Sequence, residues 1–276
     1  MKALCVSTFS TFYTDFSLMY DILDRMREYQ VGVDFWLVNS EEEYFAQIRR
    51  EAQGRLAPFY KTLHSTAKTT ELTSAIGSDM WKQTMSVYQK NFDLYREIGA
   101  HSITIHTNQR VILPEEAQQL RCNCQENSLF LAKLAEEQGL TLMLENVGPV
   151  SQQKNLYDQE AFIRLFDQLP ASVYCLIDIG HALMNGWNIE EVIDRLGDRI
   201  RGYHLNSNDG VRDVDAHRPV FNELHSYDKA GWQRLLRLMD EKAPNAEWIL
   251  EYRSGEHITA PYMEQEILQI MDCVNQ

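Results

Sequence analysis

The feature that most constrains this chain is an alternation of short β-rich runs with longer amphipathic stretches, which occurs eight times along its length. Strands that alternate with helices pair in parallel through right-handed crossovers. Eight such units predict an α/β fold that closes into a (β/α)8, or TIM, barrel, and they disfavour an open doubly wound sheet. The predicted strands are Lys2–Thr8, Val31–Leu37, Phe59–His64, His101–His106, Leu140–Glu145, Val173–Asp178, Ile200–Leu205 and Glu247–Glu251.

The stretches between these strands carry signals for where each helix begins and ends. Gly99 and Gly139 follow two of them as C-terminal caps, and Asn188 opens another with Glu191 three residues later. One apolar stripe at helical spacing is formed by Trp81, Met85, Tyr88, Phe92 and Tyr95. The predicted helices are Ser17–Tyr29, Glu41–Ala52, Asp79–Ile98, Pro114–Gln138, Asp158–Gln168, one beginning at Asn188, Asp228–Glu241 and Pro261–Val274.

The length and composition of the chain fit one barrel and leave no residues for a second domain. The chain has 276 residues, close to the roughly 250 of a typical barrel, and no linker rich in proline, glycine or serine divides it. We therefore predict a single domain over residues 1–276. Hydrophobic residues make up 44% and charged residues 24% of the chain, which is ordinary for a globular protein and excludes a disordered or fibrous one.

No feature of the sequence indicates a membrane or secretory protein. The longest apolar runs are far shorter than the about 20 residues that cross a bilayer, and the first residues turn polar too early for a secretory signal. The five cysteines are an odd number and match neither a disulfide framework nor a CxxC metal site. We therefore expect a cytoplasmic protein with reduced thiols and no membrane contact.

The charge balance disfavours nucleic acid as a partner. The chain carries 26 basic and 40 acidic residues, a net charge of −14 with neutral histidines, whereas a DNA-binding protein normally presents a basic face to the phosphates. A local basic patch could still exist within an acidic total, so the charge weakens this class without excluding it.

Ionisable residues are concentrated where the predicted strands end. In a barrel of this type the active site lies at the C-terminal ends of the strands, and chance would scatter such residues over both ends. Buried carboxylates there are costly unless they are paired or bind a metal. The residues at or just beyond these strand ends are His64, His106, Glu145, Asp178, His181, His204, Asp215, His217 and Glu251.

Four of these residues predict a site for a divalent metal. Glu145, Asp178, His204 and Glu251 come from strands five to eight, which are neighbours around the barrel, so they can converge on one cation. Imidazole and carboxylate without thiolate suit Zn²⁺, Mn²⁺, Fe²⁺ or Co²⁺, and carboxylate also suits Mg²⁺.

Six short strings, taken in order, resemble the xylose isomerase-like TIM-barrel superfamily. That superfamily groups sugar and sugar phosphate isomerases and epimerases with the zinc-dependent apurinic/apyrimidinic endonucleases, and the match runs over essentially the full chain. The strings are Leu144-Glu145-Asn146-Val147, Asp178-Ile179-Gly180-His181-Ala182, Tyr203-His204-Leu205, Asn208-Asp209-Gly210, Asp215-Ala216-His217 and Ile249-Leu250-Glu251.

The epimerase branch of this resemblance implies a metal-dependent isomerase or epimerase of a small sugar, sugar phosphate or keto-polyol. One metal would be held by Glu145, Asp178, His204 and Glu251. The two glutamates would transfer the proton beside the substrate carbonyl through a metal-stabilised enediolate. His181 would hydrogen-bond a substrate oxygen. The resemblance also implies that the barrel could pair with a second copy through its outer helices.

The endonuclease branch implies an alternative, a zinc-dependent phosphodiesterase of the abasic-site type with up to three metals. In that branch, two strand-end histidines and a bridging Glu145 would form one set of metal ligands. The remaining residues would form two further sets of ligands. All nine ligand positions of that branch are filled in this chain, so the ligand count leaves both branches open. The sets match His64, His106 and Glu145, then Asp178, His204 and Glu251, then His181, Asp215 and His217.

Three features favour the sugar enzyme over the endonuclease. The net charge of the chain is acidic, and the loops after strands one and two lack the interleaved basic and aromatic residues that would contact DNA. The third feature is Asn208-Asp209-Gly210 before the D-x-H motif. The segment 206–228 is the longest irregular stretch, and two of its features depart from the sugar-isomerase pattern. It is two residues longer, with Asp213 and Asp215 both available, and Arg218-Pro219-Val220-Phe221 replaces the usual Gly-x-Gly.

Other polar and aromatic residues near strand ends leave two interpretations each. Arg253 after strand eight is predicted to bind a substrate oxygen or phosphate, although a polar turn would also explain it. Trp36, Trp187 and the pair Phe12-Tyr13 either line the pocket or pack in the core.

Overall fold

Eight parallel strands form the centre of the molecule. The computed structural model describes residues 3–148, 155–208, 214–221 and 227–275. Each strand pairs in parallel with the next and the first pairs with the last, so the predicted closed barrel is confirmed. The strands are β1 (Leu4–Ser7), β2 (Gly32–Trp36), β3 (Lys61–His64), β4 (Ile103–His106), β5 (Leu142–Glu145), β6 (Val173–Asp178), β7 (Ile200–Leu205) and β8 (Glu247–Leu250).

Helices surround the barrel, and the helix predicted to begin at Asn188 is capped there, because Asn188 Oδ1 accepts a hydrogen bond from Glu191 N at 3.3 Å. Ser78 accepts a hydrogen bond from Trp81 N at 3.2 Å, and Gly99 ends that helix with φ +65°. No helix in the described part of the chain is both long and apolar enough to cross a bilayer. The helices are α1 (Phe16–Arg25), α2 (Glu42–Gln53), α3 (Asp79–Ile98), α4 (Ala117–Gln138), α5 (Gln159–Gln168), α6 (Ile179–Met184), α7 (Ile189–Leu196), α8 (Lys229–Lys242) and α9 (Ala260–Asn275).

Helix α1 ends at Arg25, earlier than the predicted Tyr29, and two further features of the helices differ from the sequence-based prediction. Helix α4 begins at Ala117 and not at Pro114, because the preceding residues form a separate turn in which Glu116 N donates to Leu113 O at 3.0 Å. The short helix α6 was not predicted. It begins directly after β6, where the Asp178 carboxylate accepts a hydrogen bond from His181 N at 2.6 Å and caps it.

A small apolar layer fills the inside of the barrel. Cys5, Met143, Leu176 and Ile249 are fully buried and form a cluster of their own, separate from the large core between strands and helices. Side chains two positions apart on a strand point to the same face. The residues two positions further along β5, β6 and β8 therefore project into the barrel mouth directly above this layer, and they are Glu145, Asp178 and Glu251.

One carboxyl group is buried between α9 and the segment that follows β7. Glu266 accepts hydrogen bonds from Tyr262 Oη at 3.0 Å and Phe221 N at 3.4 Å, and its second oxygen has no partner among the described residues. Burial raises the pKa of this carboxyl to about 7. Its ionised form is therefore costly in the folded protein.

Glu266→Gln should remove a pH-dependent loss of stability. Because the folded pKa is raised, the contribution of this group is fully present below its unfolded pKa of about 4.5 and is lost as the pH rises through 7. We expect nearly equal free energies of unfolding near pH 4, and a variant that is more stable by about 1–3 kcal/mol at pH 8. Urea denaturation at both pH values measures this difference.

Glu241→Gln is the control for this experiment, because its side chain on α8 is 74% exposed. The control should follow the wild-type protein at both pH values. Parallel pH dependence of the wild-type protein and Glu266→Gln would contradict the assignment.

Candidate metal centre

Four ionisable side chains meet at the mouth of the barrel. Glu145 and Asp178 end β5 and β6, His204 lies next to the end of β7, and Glu251 directly follows β8. Neighbouring strands pair Asp178 with His204, so these two lie side by side. Each of the four offers one ligand atom, these atoms lie within 4.8 Å of one another, and all four residues are buried. The structure therefore brings together the four residues predicted to bind the metal.

The polar atoms of these four residues are better placed to bind a cation than to form hydrogen bonds with one another. His204 Nδ1 lies 2.8 Å from Glu251 Oε2, 3.5 Å from Glu145 Oε1 and 3.6 Å from Asp178 Oδ2. Despite this closeness, neither His204 Nδ1 nor Glu145 Oε1 makes a hydrogen bond with any described residue. Buried polar atoms without partners are rare in folded proteins. A divalent ion between the nitrogen and the oxygens would satisfy them.

Two further histidines lie on the other side of Glu145. His64 Nε2 is 3.2 Å and His106 Nε2 is 3.1 Å from Glu145 Oε2, and the two nitrogens are 3.0 Å apart. Together with His204, His64 and Glu145 form a second group of ligand atoms close enough to share an ion. Gln109 contacts the other nitrogen of His106 through its side-chain amide.

A third group lies towards the segment after β7. The Asp215 carboxylate is 3.5 Å from His181 Nε2 and 2.9 Å from His217 Nε2. His181, His217 and Asp178 also place ligand atoms within 4.8 Å of one another. All nine residues predicted at the strand ends therefore gather in one cluster. Of the other predicted loop positions, Asp209, Gly210 and Asp213 lie outside the described residues.

Backbone carbonyls fix the orientation of three of these imidazoles. The Nδ1–H groups of His64, His181 and His217 donate to Ser65 O, Asn146 O and Glu251 O, at distances of 2.9, 2.9 and 3.0 Å. In each ring Nε2 is then directed into the cluster. A histidine that binds a metal usually donates its other ring nitrogen in this way.

The charges in the cluster keep one another ionised. Burial by itself raises the pKa of a carboxyl group, but His106 and His204 outweigh it at Glu145 and hold its pKa well below the ordinary value. At Glu251, His204 likewise outweighs burial and lowers the pKa to about 2. Burial opposes the charge on His204, but Glu251 and Glu145 raise its pKa well above the ordinary value. A metal that binds here would displace protons from the imidazoles.

Sequence reasoning missed the amides that hold Asp178. Asn146 Oδ1 accepts from Asp178 N at 2.7 Å while its Nδ2 donates to Asp178 O at 3.0 Å. Asn206 Nδ2 donates to Asp178 Oδ2 at 2.8 Å. Gly180 is part of the same arrangement, because a Cβ atom there would lie 1.8 Å from Asn206 Oδ1. The position of each asparagine was the available signal in the sequence: Asn146 directly follows Glu145, and Asn206 directly follows β7.

A buried aspartate below the cluster was also missed. Asp34 on β2 is fully buried inside the barrel and accepts hydrogen bonds from Ser7 Oγ at 2.8 Å and Thr62 Oγ1 at 2.9 Å. Burial raises the pKa of this carboxyl, against the opposing charges of His64 and His204. An aspartate within the otherwise apolar run Val31–Leu37 was the available signal.

The aromatic residues divide between the two interpretations that the sequence left open. Trp36 stacks on His64 with ring centroids 5.1 Å apart, and Tyr13 lies 5.4 Å from Trp36. These two rings border the cluster, whereas Trp187 packs against Phe162 in the core at 5.2 Å. Phe12 is 52% exposed.

The family of the chain follows from its sequence and agrees with this geometry. The sequence model of the xylose isomerase-like TIM barrel family matches residues 32–272. The chain therefore belongs to this family, as its motifs predicted. No curated protein matches the chain significantly by sequence.

Solved structures of the same fold cover nearly the whole chain. A D-tagatose 3-epimerase-like protein is 14% identical, with a TM-score of 0.75 over 100% of this chain and 98% of its own. The IOLI protein, solved with a zinc atom, is 16% identical, with a TM-score of 0.74 over 100% and 98%. The TTHB071 protein from Thermus thermophilus, soaked with ZnCl2, is 18% identical, with a TM-score of 0.64 over 99% and 97%. At these identities the likeness establishes a shared fold.

Gly180→Ala should weaken metal binding through Asn206. The added methyl group displaces the Asn206 amide and breaks its hydrogen bond to Asp178. Loss of such a supporting contact typically costs 10- to 100-fold in metal affinity, and we expect a loss in that range in a competition titration with Zn²⁺.

Asn206→Ala supplies the matched control, because it removes the amide without adding an atom. Gly180→Ala should have little further effect in that background, since the clash is then absent. Additive losses in the double variant would show that Gly180 acts on the site by another route.

Proposed function

We propose that this protein is a metal-dependent isomerase or epimerase of a small carbohydrate. The observation that carries the proposal is the pair of buried glutamates at the ends of β5 and β8, whose ligand atoms lie within 4.8 Å of each other and of His204. Two carboxylates on opposite sides of one substrate carbon can remove a proton from one face and return it to the other. A small-molecule carbohydrate is accordingly the proposed partner.

Glu145, Asp178, His204 and Glu251 would hold one divalent ion, which can be Mn²⁺, Zn²⁺, Co²⁺, Fe²⁺ or Mg²⁺. When bound, such an ion polarises the substrate carbonyl and stabilises the negative charge that develops as the proton leaves. Asp178 is held in place by Asn146 and Asn206, so its role is to fix the geometry of the site.

Side chains in and around this group would transfer the proton and bind the substrate. Glu145 and Glu251 have lowered pKa values and are ionised at neutral pH, so each can accept a proton. His181 donates Nδ1–H to Asn146 O, so its Nε2, which lies 3.5 Å from the Asp215 carboxylate, is directed to where a substrate oxygen could bind. Trp36 and Tyr13 supply flat apolar surfaces beside the cluster, suited to one face of a sugar and to the exclusion of water.

The comparisons support carbohydrate as the substrate class. Solved structures of the same fold include a D-psicose 3-epimerase with D-tagatose and an L-ribulose 3-epimerase, at 12% and 13% identity. A 3-keto-D-glucoside 4-epimerase from E. coli has the fold as well, at 14% identity. Two further structures were obtained with zinc.

We also place the protein in the cytoplasm, as its composition predicts. The support is that all five cysteines are free thiols in the structure, four of them buried. A reducing compartment keeps thiols in this state.

Glu145→Gln and Glu251→Gln should each abolish proton exchange at the carbon beside the substrate carbonyl. The amide keeps the size of the side chain but cannot accept the proton, so we expect at least a roughly 100-fold loss of rate. Proton NMR of a panel of ketoses in deuterated solvent measures the exchange. Metal content is determined for each variant, so that loss of the ion is separated from loss of the base.

Glu137→Gln on α4 is the control, because its side chain is 58% exposed and lies away from the cluster. Exchange at the wild-type rate in both site variants would refute the assignment of the two glutamates.

A zinc-dependent phosphodiesterase of the abasic-site type is the second candidate function. The observation that favours it is the presence of three overlapping groups of ligand atoms, which involve His64, His181 and His217 besides the four residues above. Three groups of this kind could hold up to three ions.

Metal content and nuclease activity separate the two functions. We expect one divalent ion per chain after dialysis, by elemental analysis, and no nicking of an abasic duplex. Three ions per chain together with nicking would establish the phosphodiesterase and refute the isomerase.

A further inference from the structure

A cavity of about 720 Å³ adjoins the metal centre on the side of the segments that follow β7 and β8. The cavity shares Asp215 and His217 with the metal centre. A substrate bound at the centre could therefore extend into the cavity. The polar residues that line it are Asp215, His217, Arg218, Arg253, His257 and Tyr262.

The charge of this cavity differs from that of the chain as a whole. Acidic residues outnumber basic ones by 40 to 26 along the sequence, but the cavity is lined by two arginines and by Asp215 as the one acidic group among the described residues. The Asp215 carboxylate is directed towards the histidines of the centre, 3.5 Å from His181 Nε2 and 2.9 Å from His217 Nε2. With two arginines against one carboxylate, the described lining carries a net positive formal charge.

Arg253 is exposed and contacts the segment after β7 at two points. Its backbone N–H donates to His217 O at 2.8 Å, and its guanidinium donates to Asp215 O. An arginine side chain has five N–H donors, and the described residues accept from one of them.

We propose that this cavity binds a phosphate group and that the substrate is a sugar phosphate. The inference rests on the proposed isomerase function and names its substrate class. A guanidinium with free N–H donors matches phosphate oxygens in a bidentate geometry. In (β/α)8 barrels, the loops after strands seven and eight frequently form a phosphate site together with the N-terminus of a short extra helix, and here Arg253 would supply the donors on this side of the barrel. The cavity lies between these two loops, next to the atoms that would carry out the reaction.

Calorimetric titration of the metal-loaded protein tests the phosphate site. The ligands are two matched pairs, D-fructose with D-fructose 6-phosphate and D-ribulose with D-ribulose 5-phosphate. We expect the wild-type protein to bind at least one phosphate ester ten or more times as tightly as the free sugar. Arg253→Met should reduce that ratio at least tenfold, and Arg253→Lys should reduce it less, because lysine keeps the charge but loses the planar fork.

Two further variants separate loss of phosphate binding from local disturbance caused by removing the Arg253 contact to Asp215. His257→Gln alters the same cavity without touching the Asp215 contact, and it should also lower the ratio. Arg27→Met removes an equal charge from a cavity at the opposite end of the barrel and should leave both dissociation constants unchanged. Equal affinity for sugars and their phosphates in the wild-type protein, or a ratio that survives in both Arg253→Met and His257→Gln, would overturn the phosphate site.

Deuterium exchange with the same ligands separates this inference from the proposed function. Exchange of free ketoses without preferential binding of the esters would overturn the phosphate site and support the isomerase. Arg253-dependent binding of an ester without exchange in any ketose would support the phosphate site and overturn the isomerase. Binding of an abasic duplex that depends on Arg253, with no binding of either ester, would overturn the sugar phosphate as the ligand.

Discussion

The burial of three carboxylates in the mouth of one barrel is the constraint on which the rest of the site depends. Glu145, Asp178 and Glu251 are withdrawn from water, and an isolated buried carboxylate is costly. The histidines around them supply positive charge or lone pairs for a cation, and the carboxylates in turn raise the pKa of His181 and His204. Acids and imidazoles stabilise one another, so the cluster forms only if the barrel brings all of them together.

Asp178 shows how one side chain serves structure and site together. Its Oδ1 accepts from His181 N and begins α6, while its Oδ2 accepts from Asn206 and faces His204. The helix cap and the proposed metal ligand are therefore the same residue, with one oxygen for each role. Because α6 carries His181, the cap also sets where that imidazole stands, and Gly180 is required where Asn206 passes close to the helix.

Much of the fold and of the candidate site could be predicted because both rest on regular spacing. Alternating strands and helices predict the closed barrel, and the end of each strand in such a barrel marks the active-site face. Residues such as His64 and Glu145 were therefore found without any knowledge of contacts. Asn206, Asp34 and the short helix α6 were missed, because a polar side chain beside a strand has no periodic signature that reveals its partner.

The sequence by itself determined the eight units, the family and the nine strand-end residues, because these depend on the order of residue types along the chain. The tertiary structure decided which atoms meet. Nε2 of His181 and Nε2 of His217 face Asp215, and the Arg253 guanidinium donates to the Asp215 carbonyl. Trp36 borders the cluster, whereas Trp187 packs in the core. These contacts join residues from separate loops. Their paths follow no repeat and are fixed only when the closed barrel brings the strand ends together.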